Sequence, residues 1–146
     1  INDCTAMPQN HNELSMIEFF SGIGGMRYAT ENALNLNHLT KKERTSLKCL
    51  AYDVSLHANN AYKHNFEAAK VFTKLVEQLK PKDIDGKADL WTMSPPCQPF
   101  TKTKGAKLMD IGDKRCNGLK GIMDLLTKIE QKPKFIFLEN VKGFAG

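Results

Sequence analysis

Residues 16–25 read MIEFFSGIGG, and this stretch decides the fold. The mostly apolar run 16–20 has the length of a strand, and three glycines follow within residues 22–25. Apolar residues then recur at helical spacing, at Met26, Ala29 and Ala33. The pattern predicts a strand, a glycine loop and a helix. Backbone amides in such a loop can approach a ligand closely, and the helix N-terminus favours a carboxylate or phosphate, although a tight turn without a ligand fits the same pattern.

Position 27 narrows the class of ligand. The dinucleotide fingerprint GxGxxG needs a glycine there, and the chain has Arg27. This disfavours NAD and leaves a nucleoside ligand without a pyrophosphate. Asp53 ends the second predicted strand, residues 47–52, where an acidic side chain can accept hydrogen bonds from ribose hydroxyls. A solvated turn aspartate is the alternative interpretation.

Apolar runs and helical spacings alternate along the rest of the chain. They predict further strands at residues 69–72, 89–93 and 135–138, and helices at 55–66, 75–79 and 119–129. Strands that alternate with helices predict an α/β fold with a parallel sheet covered on both faces. The polar, aperiodic residues 1–15 are predicted to be a disordered lead-in to a folded domain at residues 16–146.

The composition is that of a folded protein rather than a disordered one, with 41% hydrophobic and 25% charged residues in a chain of 146. The balance of 21 Lys and Arg against 16 Asp and Glu gives a net charge of +5, which permits a polyanionic partner without requiring one. No run approaches the roughly 18 apolar residues of a membrane span. The cysteines, at positions 4, 49, 97 and 116, have no metal-ligand or disulfide spacing, which favours a reducing intracellular compartment.

The sharpest local feature is the sequence SPPCQPFT at residues 94–101. Its prolines fix the backbone at the end of the fourth predicted strand, and ligands of open α/β sheets bind at such carboxyl ends. Cys97 stands outside the apolar run, as a positioned nucleophile would, whereas a structural cysteine usually lies within one. No histidine lies where a cysteine–histidine pair would need it, so a thiol protease has no support.

Glu139 follows the apolar strand 135–138. A carboxylate at that position is expected to be partly desolvated and able to hold a proton near neutral pH. If the first, fourth and fifth strands are neighbours, Cys97 and Glu139 converge beside the glycine loop. A nucleophile, a proton donor and a nucleoside pocket would then share one site.

Three short motifs resemble those of a known protein family: FSGIGG at residues 20–25, PPCQ at 95–98 and ENV at 139–141. In order and spacing they resemble the signature motifs of the cytosine-5 methyltransferases. The longer strings MSPPCQPFT (93–101) and LENVKGF (138–144) look most like the branch that methylates aspartate tRNA. The resemblance implies a Rossmann-like methyltransferase fold that uses S-adenosylmethionine to methylate carbon 5 of a cytosine in the anticodon loop. DNA as the substrate, or a non-catalytic nucleic-acid-binding protein derived from the fold, are the alternatives.

The resemblance also implies roles for individual residues. Phe20 would stack on the adenine of the cofactor, Asp53 would hold the ribose hydroxyls, and Val54 would pack on the other face of the adenine. The cofactor-binding set is Phe20, Ser21, Gly22, Ile23, Gly24, Gly25, Asp53, Val54 and Pro95. Cys97 would attack carbon 6 of a flipped-out cytosine while Glu139 protonates ring nitrogen 3. The substrate-binding set is Pro96, Gln98, Lys102, Lys104, Arg115, Asn140 and Val141.

The segment 102–115 contains five basic and two acidic residues, so +3 of the net charge lies beside Cys97. In the family this segment is a mobile loop that closes over the target base, and a basic loop there can attract phosphates irrespective of sequence. An ordinary solvated loop is the alternative.

The chain departs from the family pattern in three ways. Phe72-Thr73-Lys74 offers no acid for the adenine amino group after the third strand, and the loop 41–46 is longer than usual. The family's recognition domain and C-terminal motifs are expected to follow residue 146, so the chain is expected to be the N-terminal part of a larger catalytic domain and inactive alone. A nucleic-acid methyltransferase of this kind is expected in the cytoplasm and nucleus, with no membrane partner. The sequence leaves the oligomeric state open.

Overall fold

The computed structural model describes residues 13–35, 46–67, 69–96 and 117–141. Within these ranges five strands alternate with helices. The strands are β1 (Glu13–Phe19), β2 (Ser46–Asp53), β3 (Lys70–Thr73), β4 (Leu90–Met93) and β5 (Phe135–Leu138). The helices are α1 (Gly25–Asn35), α2 (Leu56–Asn65), a 3-10 helix (Val76–Gln78), α3 (Pro81–Ile84) and α4 (Asn117–Lys128).

The strands form one sheet in the order β3-β2-β1-β4-β5, and each neighbouring pair is parallel. The predicted α/β fold with a parallel sheet is therefore confirmed. Because the strand order reverses between β1 and β4, the carboxyl ends of these two strands flank a topological switch point, where open α/β sheets bind ligands. The order also confirms that the first, fourth and fifth strands are neighbours.

One face of the sheet carries the main core. Phe19 of β1 lies edge-on to Trp91 of β4, with ring centroids 5.2 Å apart, and both side chains are buried. Helix α4 covers this face through Leu119 and Ile122, which belong to the same apolar cluster. The periodic spacing that predicted this helix thus marks the side that it buries.

The first strand begins earlier than the sequence pattern indicates. The prediction of a disordered lead-in through residue 15 is wrong for residues 13–15, because Glu13 pairs in register with Ser46 and the ladder continues from there. The Ser15 hydroxyl also donates to the Asp89 carboxylate at 2.6 Å. Backbone pairing and these polar contacts hold the segment without an apolar side-chain pattern, so periodicity could not reveal it. Residues 1–12 lie outside the described part of the chain.

The other element boundaries differ from the predictions by small shifts. Ser55 caps α2 as its position predicts, since its hydroxyl accepts a hydrogen bond from the Ala58 amide at 3.2 Å. The single helix expected at 75–79 is a 3-10 turn followed by α3, which starts at Pro81. A proline at the first helical position is favourable because its missing N–H would have no partner there.

Strand β5 is exposed on both faces in the described structure. Its four side chains, Phe135 to Leu138, are between 37% and 66% exposed. The expectation of a sheet covered on both faces therefore fails at this edge, within the described residues. No helix among those residues is long and apolar enough to cross a membrane.

Candidate active site

The carboxyl ends of β1, β2 and β4 open into a cleft of about 370 Å³. Residues from both halves of the sheet line it, together with one glycine of α4. They are Phe20, Tyr52, Asp53, Val54, Lys74, Leu75, Val76, Glu77, Ser94, Pro96 and Gly118. Three residues predicted to bind the cofactor, Phe20, Asp53 and Val54, are therefore brought together in one cleft.

The loop after β1 has an unusual backbone. Phe20 adopts a positive φ of 54°, which costs an L-residue with a side chain about 1–2 kcal/mol. Gly24 has a φ of 96°, and a Cβ there would lie 2.3 Å from the Phe66 ring. Glycine is therefore required at position 24 both by backbone conformation and by space. The Phe20 ring lines the cleft and lies against α4 at Gly118.

Asp53 fixes the middle of this loop. One carboxylate oxygen accepts a hydrogen bond from the Gly22 amide at 2.8 Å, and the other accepts one from the Ser55 amide at 2.8 Å. A carboxylate has about four lone-pair sites, so two remain for ligand hydroxyls. Asp53 can therefore shape the glycine loop and hold a ribose at the same time.

The other residues of the glycine loop lie in two different environments. The Ser21 hydroxyl is buried and has no hydrogen-bond partner among the described residues. Ile23, Gly24 and Gly25 line a neighbouring groove of about 480 Å³ with Tyr28 rather than the cleft itself. A Cβ at Gly25 would have no atom within 4 Å, so the backbone there is open to approach.

Glu77 supplies an acid that sequence reasoning missed. No acid follows β3 directly, as expected, but the 3-10 helix carries Glu77 to the cleft wall, beside Gly118. Lys74, which also lines the cleft, pairs instead with Asp83 at 2.9 Å. Glu77 is therefore an acid in the cleft wall, although residues 72–74 contain none. Glu77 lies beyond the residues that directly follow β3, so the strand pattern of the sequence did not indicate it.

The ends of β4 and β5 meet beside this cleft. The Glu139 amide donates to the Met93 carbonyl at 3.0 Å, and the Asn140 side-chain amide donates to the Pro95 carbonyl at 3.5 Å. The Asn140 side-chain oxygen accepts from the Val141 amide at 2.8 Å. Two of the sequence motifs thus touch each other at the carboxyl edge of the sheet.

Glu139 itself is exposed, so the expectation of partial desolvation is wrong for the described structure. The physical reason is its place after β5, the outer strand, on which no described element packs closely enough to bury it. Pro96 lies on the rim of the cleft. Cys97, Gln98, Lys102, Lys104 and Arg115 lie outside the described residues, as do residues 41–45 of the long loop.

Glu18, in the strand before the glycine loop, is a buried carboxylate. It is 1% exposed and accepts a hydrogen bond from the Tyr62 hydroxyl at 2.6 Å. No group of three or more metal-ligand side chains lies together in the described part of the chain.

A parallel sheet with a glycine loop after β1, an acid at the end of β2 and a cleft at the switch point is a Rossmann-like arrangement. Solved S-adenosylmethionine-dependent methyltransferases share this fold even at low identity. A putative enzyme of this class from Methanococcus maripaludis aligns over 90% of the chain and 50% of its own, with a TM-score of 0.52 and 14% identity.

The chain belongs to the C-5 cytosine-specific DNA methylase family, whose model matches residues 14–146. It is 38% identical over 132 residues to the rat tRNA (cytosine(38)-C(5))-methyltransferase, which covers 90% of this chain and 31% of the rat protein. It is 37% identical to a DNA (cytosine-5)-methyltransferase of Dictyostelium discoideum, over 91% of this chain and 32% of that one. The chain thus spans about a third of the length of these relatives.

Solved structures agree with this assignment. The Entamoeba histolytica methyltransferase EhMeth aligns with a TM-score of 0.73 and 33% identity, over 90% of this chain and 39% of that chain. The family resemblance drawn from the three sequence motifs is confirmed.

Proposed function

We propose that the protein transfers a methyl group to carbon 5 of a cytosine in the anticodon loop of aspartate tRNA. The observation that carries the proposal is the meeting of the motif segments at one edge of the sheet. Asn140 contacts Pro95 there, and Pro96 shares a cleft with Phe20 and Asp53. Similarity to several tRNA (cytosine(38)-C(5))-methyltransferases supports RNA as the substrate.

The cleft fits S-adenosylmethionine, which would supply an electrophilic methyl group. Its volume of about 370 Å³ is in the usual range for a small-molecule site. Phe20 and Val54 would hold the adenine and Asp53 the ribose. Glu77 would accept a hydrogen bond from the adenine amino group, and the loop of residues 21–25 would surround the polar, amino-acid end.

In this proposal Cys97 and Glu139 carry the chemistry on the base. The Cys97 thiolate adds to carbon 6 of cytosine while Glu139 gives a proton to ring nitrogen 3, which makes carbon 5 nucleophilic. After carbon 5 is methylated, loss of its proton and of the thiolate restores the aromatic ring. The base must leave its stack first, because these atoms are not accessible within one.

Nucleic acid would contact the outer side of the same edge. Pro96, Gln98, Asn140 and Val141 are the proposed contacts to the base. Lys102, Lys104 and Arg115 in the basic segment would attract phosphates, which makes binding weaker as salt rises. We propose that the protein acts in the cytoplasm and nucleus. Fluorescence microscopy of the tagged protein would show whether it is present in both.

The experiment that tests the proposal compares substrates. The complete protein is incubated with radiolabelled S-adenosylmethionine and either tRNA or duplex DNA of equal cytosine content. We expect the labelled methyl group to be incorporated into tRNA, and at a higher rate than into DNA. Incorporation into DNA alone would favour the second candidate, a DNA cytosine-5 methyltransferase, which the family description and the Dictyostelium relative support. Binding of tRNA without binding of cofactor would instead favour a non-catalytic protein of this fold.

The 146 residues alone are expected to give no turnover, because the chain spans about a third of the length of the relatives that it matches. The measurement is methyl incorporation by the isolated chain beside that of the complete protein at equal concentration. Turnover by the isolated chain would contradict the expectation.

A pair of glycines in α4 tests the position of the Phe20 ring. A Cβ at Gly118 would lie 2.9 Å from two atoms of that ring, so Gly118→Ala should displace it from the cleft wall. Since overpacking costs roughly 1–3 kcal/mol, we expect the affinity for S-adenosylhomocysteine to fall by on the order of tenfold.

The matched control is Gly121→Ala, in the same helix. A Cβ there would find its nearest atom at 3.7 Å, an ordinary contact, so affinity should stay unchanged and the helix should gain about 0.5–1 kcal/mol. Titration calorimetry of both variants measures the difference. Equal affinities would show that the Phe20 ring takes no part in cofactor binding.

A further inference from the structure

The carboxyl end of helix α2 packs against the glycine loop through two aromatic rings. Phe66 caps this helix, and its amide donates to the Tyr62 carbonyl at 2.9 Å. The rings of Phe66 and Tyr62 have centroids 5.0 Å apart. They fill the space beside Gly24, because a Cβ at this glycine would lie 3.0 Å from the Tyr62 ring and closer still to the Phe66 ring. One helix therefore limits where this part of the loop can lie.

Helix α1 holds the Phe66 ring as well. The guanidinium carbon of Arg27, the third residue of α1, lies 4.4 Å from the centre of the ring, which is a cation–π contact. Arg27 is buried, and its Nε donates to Glu31 at 2.7 Å, which fixes the guanidinium group. The Phe66 ring thus contacts both the first turn of α1 and the glycine that precedes this helix.

Hydrogen bonds fix the same end of α2 to the strand before the loop and to the loop itself. Tyr62 is fully buried, and its hydroxyl donates to the carboxylate of Glu18 in β1 at 2.6 Å. The side-chain amide of Asn65 donates to the Ile23 carbonyl at 3.4 Å. The Phe66 ring therefore belongs to a helix end whose place relative to the loop is defined.

The amino end of α2 is attached to the proposed ribose contact. The Ser55 amide donates to the Asp53 carboxylate at 2.8 Å, and the side-chain amide of Asn59 donates to the Asp53 carbonyl at 3.1 Å. Asp53 and the glycine loop come from different strands. Helix α2 contacts both, one at each of its ends.

We infer that Phe66 is a positioning residue for the cofactor site, because its ring sets the place of Gly24 relative to Asp53. Glycine permits many backbone conformations, so a glycine loop needs outside contacts to select one. The Phe66 ring provides such a contact, although it is not among the described residues that line the cleft. This inference rests on the proposed function, since it assigns the loop and Asp53 to cofactor binding.

The test uses Phe66→Ala in the complete protein and two measurements. The first is hydrogen exchange of the Gly24 amide, which donates to the Ser21 carbonyl at 2.9 Å within the loop. The second is the affinity for S-adenosylhomocysteine, measured by titration calorimetry. We expect the exchange rate to rise, and the affinity to fall, each by on the order of tenfold.

Ile129→Ala is the matched control for a loss of packing. Ile129 is buried in the main core and follows the end of α4 that lies away from Gly118. Its truncation should lower Tm and leave both measured quantities at the values of the parent protein. Phe66→Leu keeps part of the apolar volume and should give smaller changes in the same directions. It provides the same test if Phe66→Ala does not fold.

A double-variant cycle tests the contact between Phe66 and Gly24. Gly24→Ala should lower the affinity for two reasons: its Cβ meets the Phe66 ring, and a φ of 96° disfavours a residue with a side chain. Phe66→Ala removes only the first reason. We therefore expect Gly24→Ala to cost on the order of tenfold less affinity in the Phe66→Ala background than in the parent protein.

Unchanged exchange of the Gly24 amide in Phe66→Ala, equal effects of Phe66→Ala and Ile129→Ala on the affinity, or an additive cycle would each overturn the inference. Faster exchange with unchanged affinity would also overturn it, because the ring would then position the loop for no ligand. A parent protein that binds no S-adenosylhomocysteine would contradict the proposed function instead. The exchange measurement would still report whether Phe66 holds the loop.

Discussion

Replacing Cys97 by alanine is expected to abolish methyl transfer, with a loss of at least about 10³-fold, because in the proposed mechanism its thiolate forms the bond to carbon 6. The direct measurement uses tRNA that contains 5-fluorocytosine. Fluorine at carbon 5 cannot leave as a proton does, so the covalent adduct persists and migrates as a stable protein–RNA complex under denaturing conditions. The complete protein should form this complex, and Cys97→Ala should not.

The control is the same substitution at Cys49. This thiol is buried, and burial raises its pKa to about 11, so it is a poor nucleophile. Cys49→Ala should therefore still form the adduct. An adduct that survives in Cys97→Ala would place the nucleophile elsewhere and remove the proposed mechanism.

Replacing Asp53 by alanine is expected to lower the affinity for S-adenosylhomocysteine by on the order of tenfold to a hundredfold, since hydrogen bonds to charged groups contribute roughly 1.5–3 kcal/mol. The substitution removes the proposed ribose contact. It also leaves the Gly22 and Ser55 amides without their acceptor, which loosens the loop beside the cleft. Titration calorimetry of the folded variant measures the change.

Asp85 offers a matched control for this prediction. Its carboxylate likewise accepts hydrogen bonds from two backbone amides, those of Glu130 and Gln131, but it does not line the cleft. Asp85→Ala should lower stability and leave affinity unchanged. A similar loss of affinity in both variants would mean that Asp53 acts through general stability rather than at the ligand.

The order of strands and helices could be predicted from the sequence because buried parallel strands are short apolar runs with clear ends. The helix α4 could be predicted because its apolar residues repeat at the period of the helix. Residues 13–15 could not, since backbone pairing with Ser46 and the contact to Asp89 come from distant parts of the chain.

The site was predictable where it depends on residues at strand ends. Phe20 and Pro96 follow strands and Asp53 ends one, and the parallel sheet brings such positions to one edge. Glu77 was missed because a 3-10 turn, rather than a strand, carries it to the cleft. The burial of Glu18 was missed because its partner, Tyr62, lies in a later helix, and one polar residue in a strand does not reveal it.

Burial of Glu139 was wrongly expected for a related reason. A carboxylate after an apolar strand is desolvated only if other elements cover that strand, and β5 is the outer strand of the described sheet. Strand composition alone therefore does not determine the environment of a residue at its end.

The central claim is methylation at carbon 5 of cytosine in tRNA. Its most direct test is to incubate the complete protein with aspartate tRNA and S-adenosylmethionine bearing a ¹³C-labelled methyl group, digest the RNA, and identify the labelled nucleoside by mass spectrometry. The account predicts labelled 5-methylcytidine, absent with Cys97→Ala. Label on another nucleoside or ring atom, or no labelled nucleoside although tRNA and cofactor both bind, would contradict it.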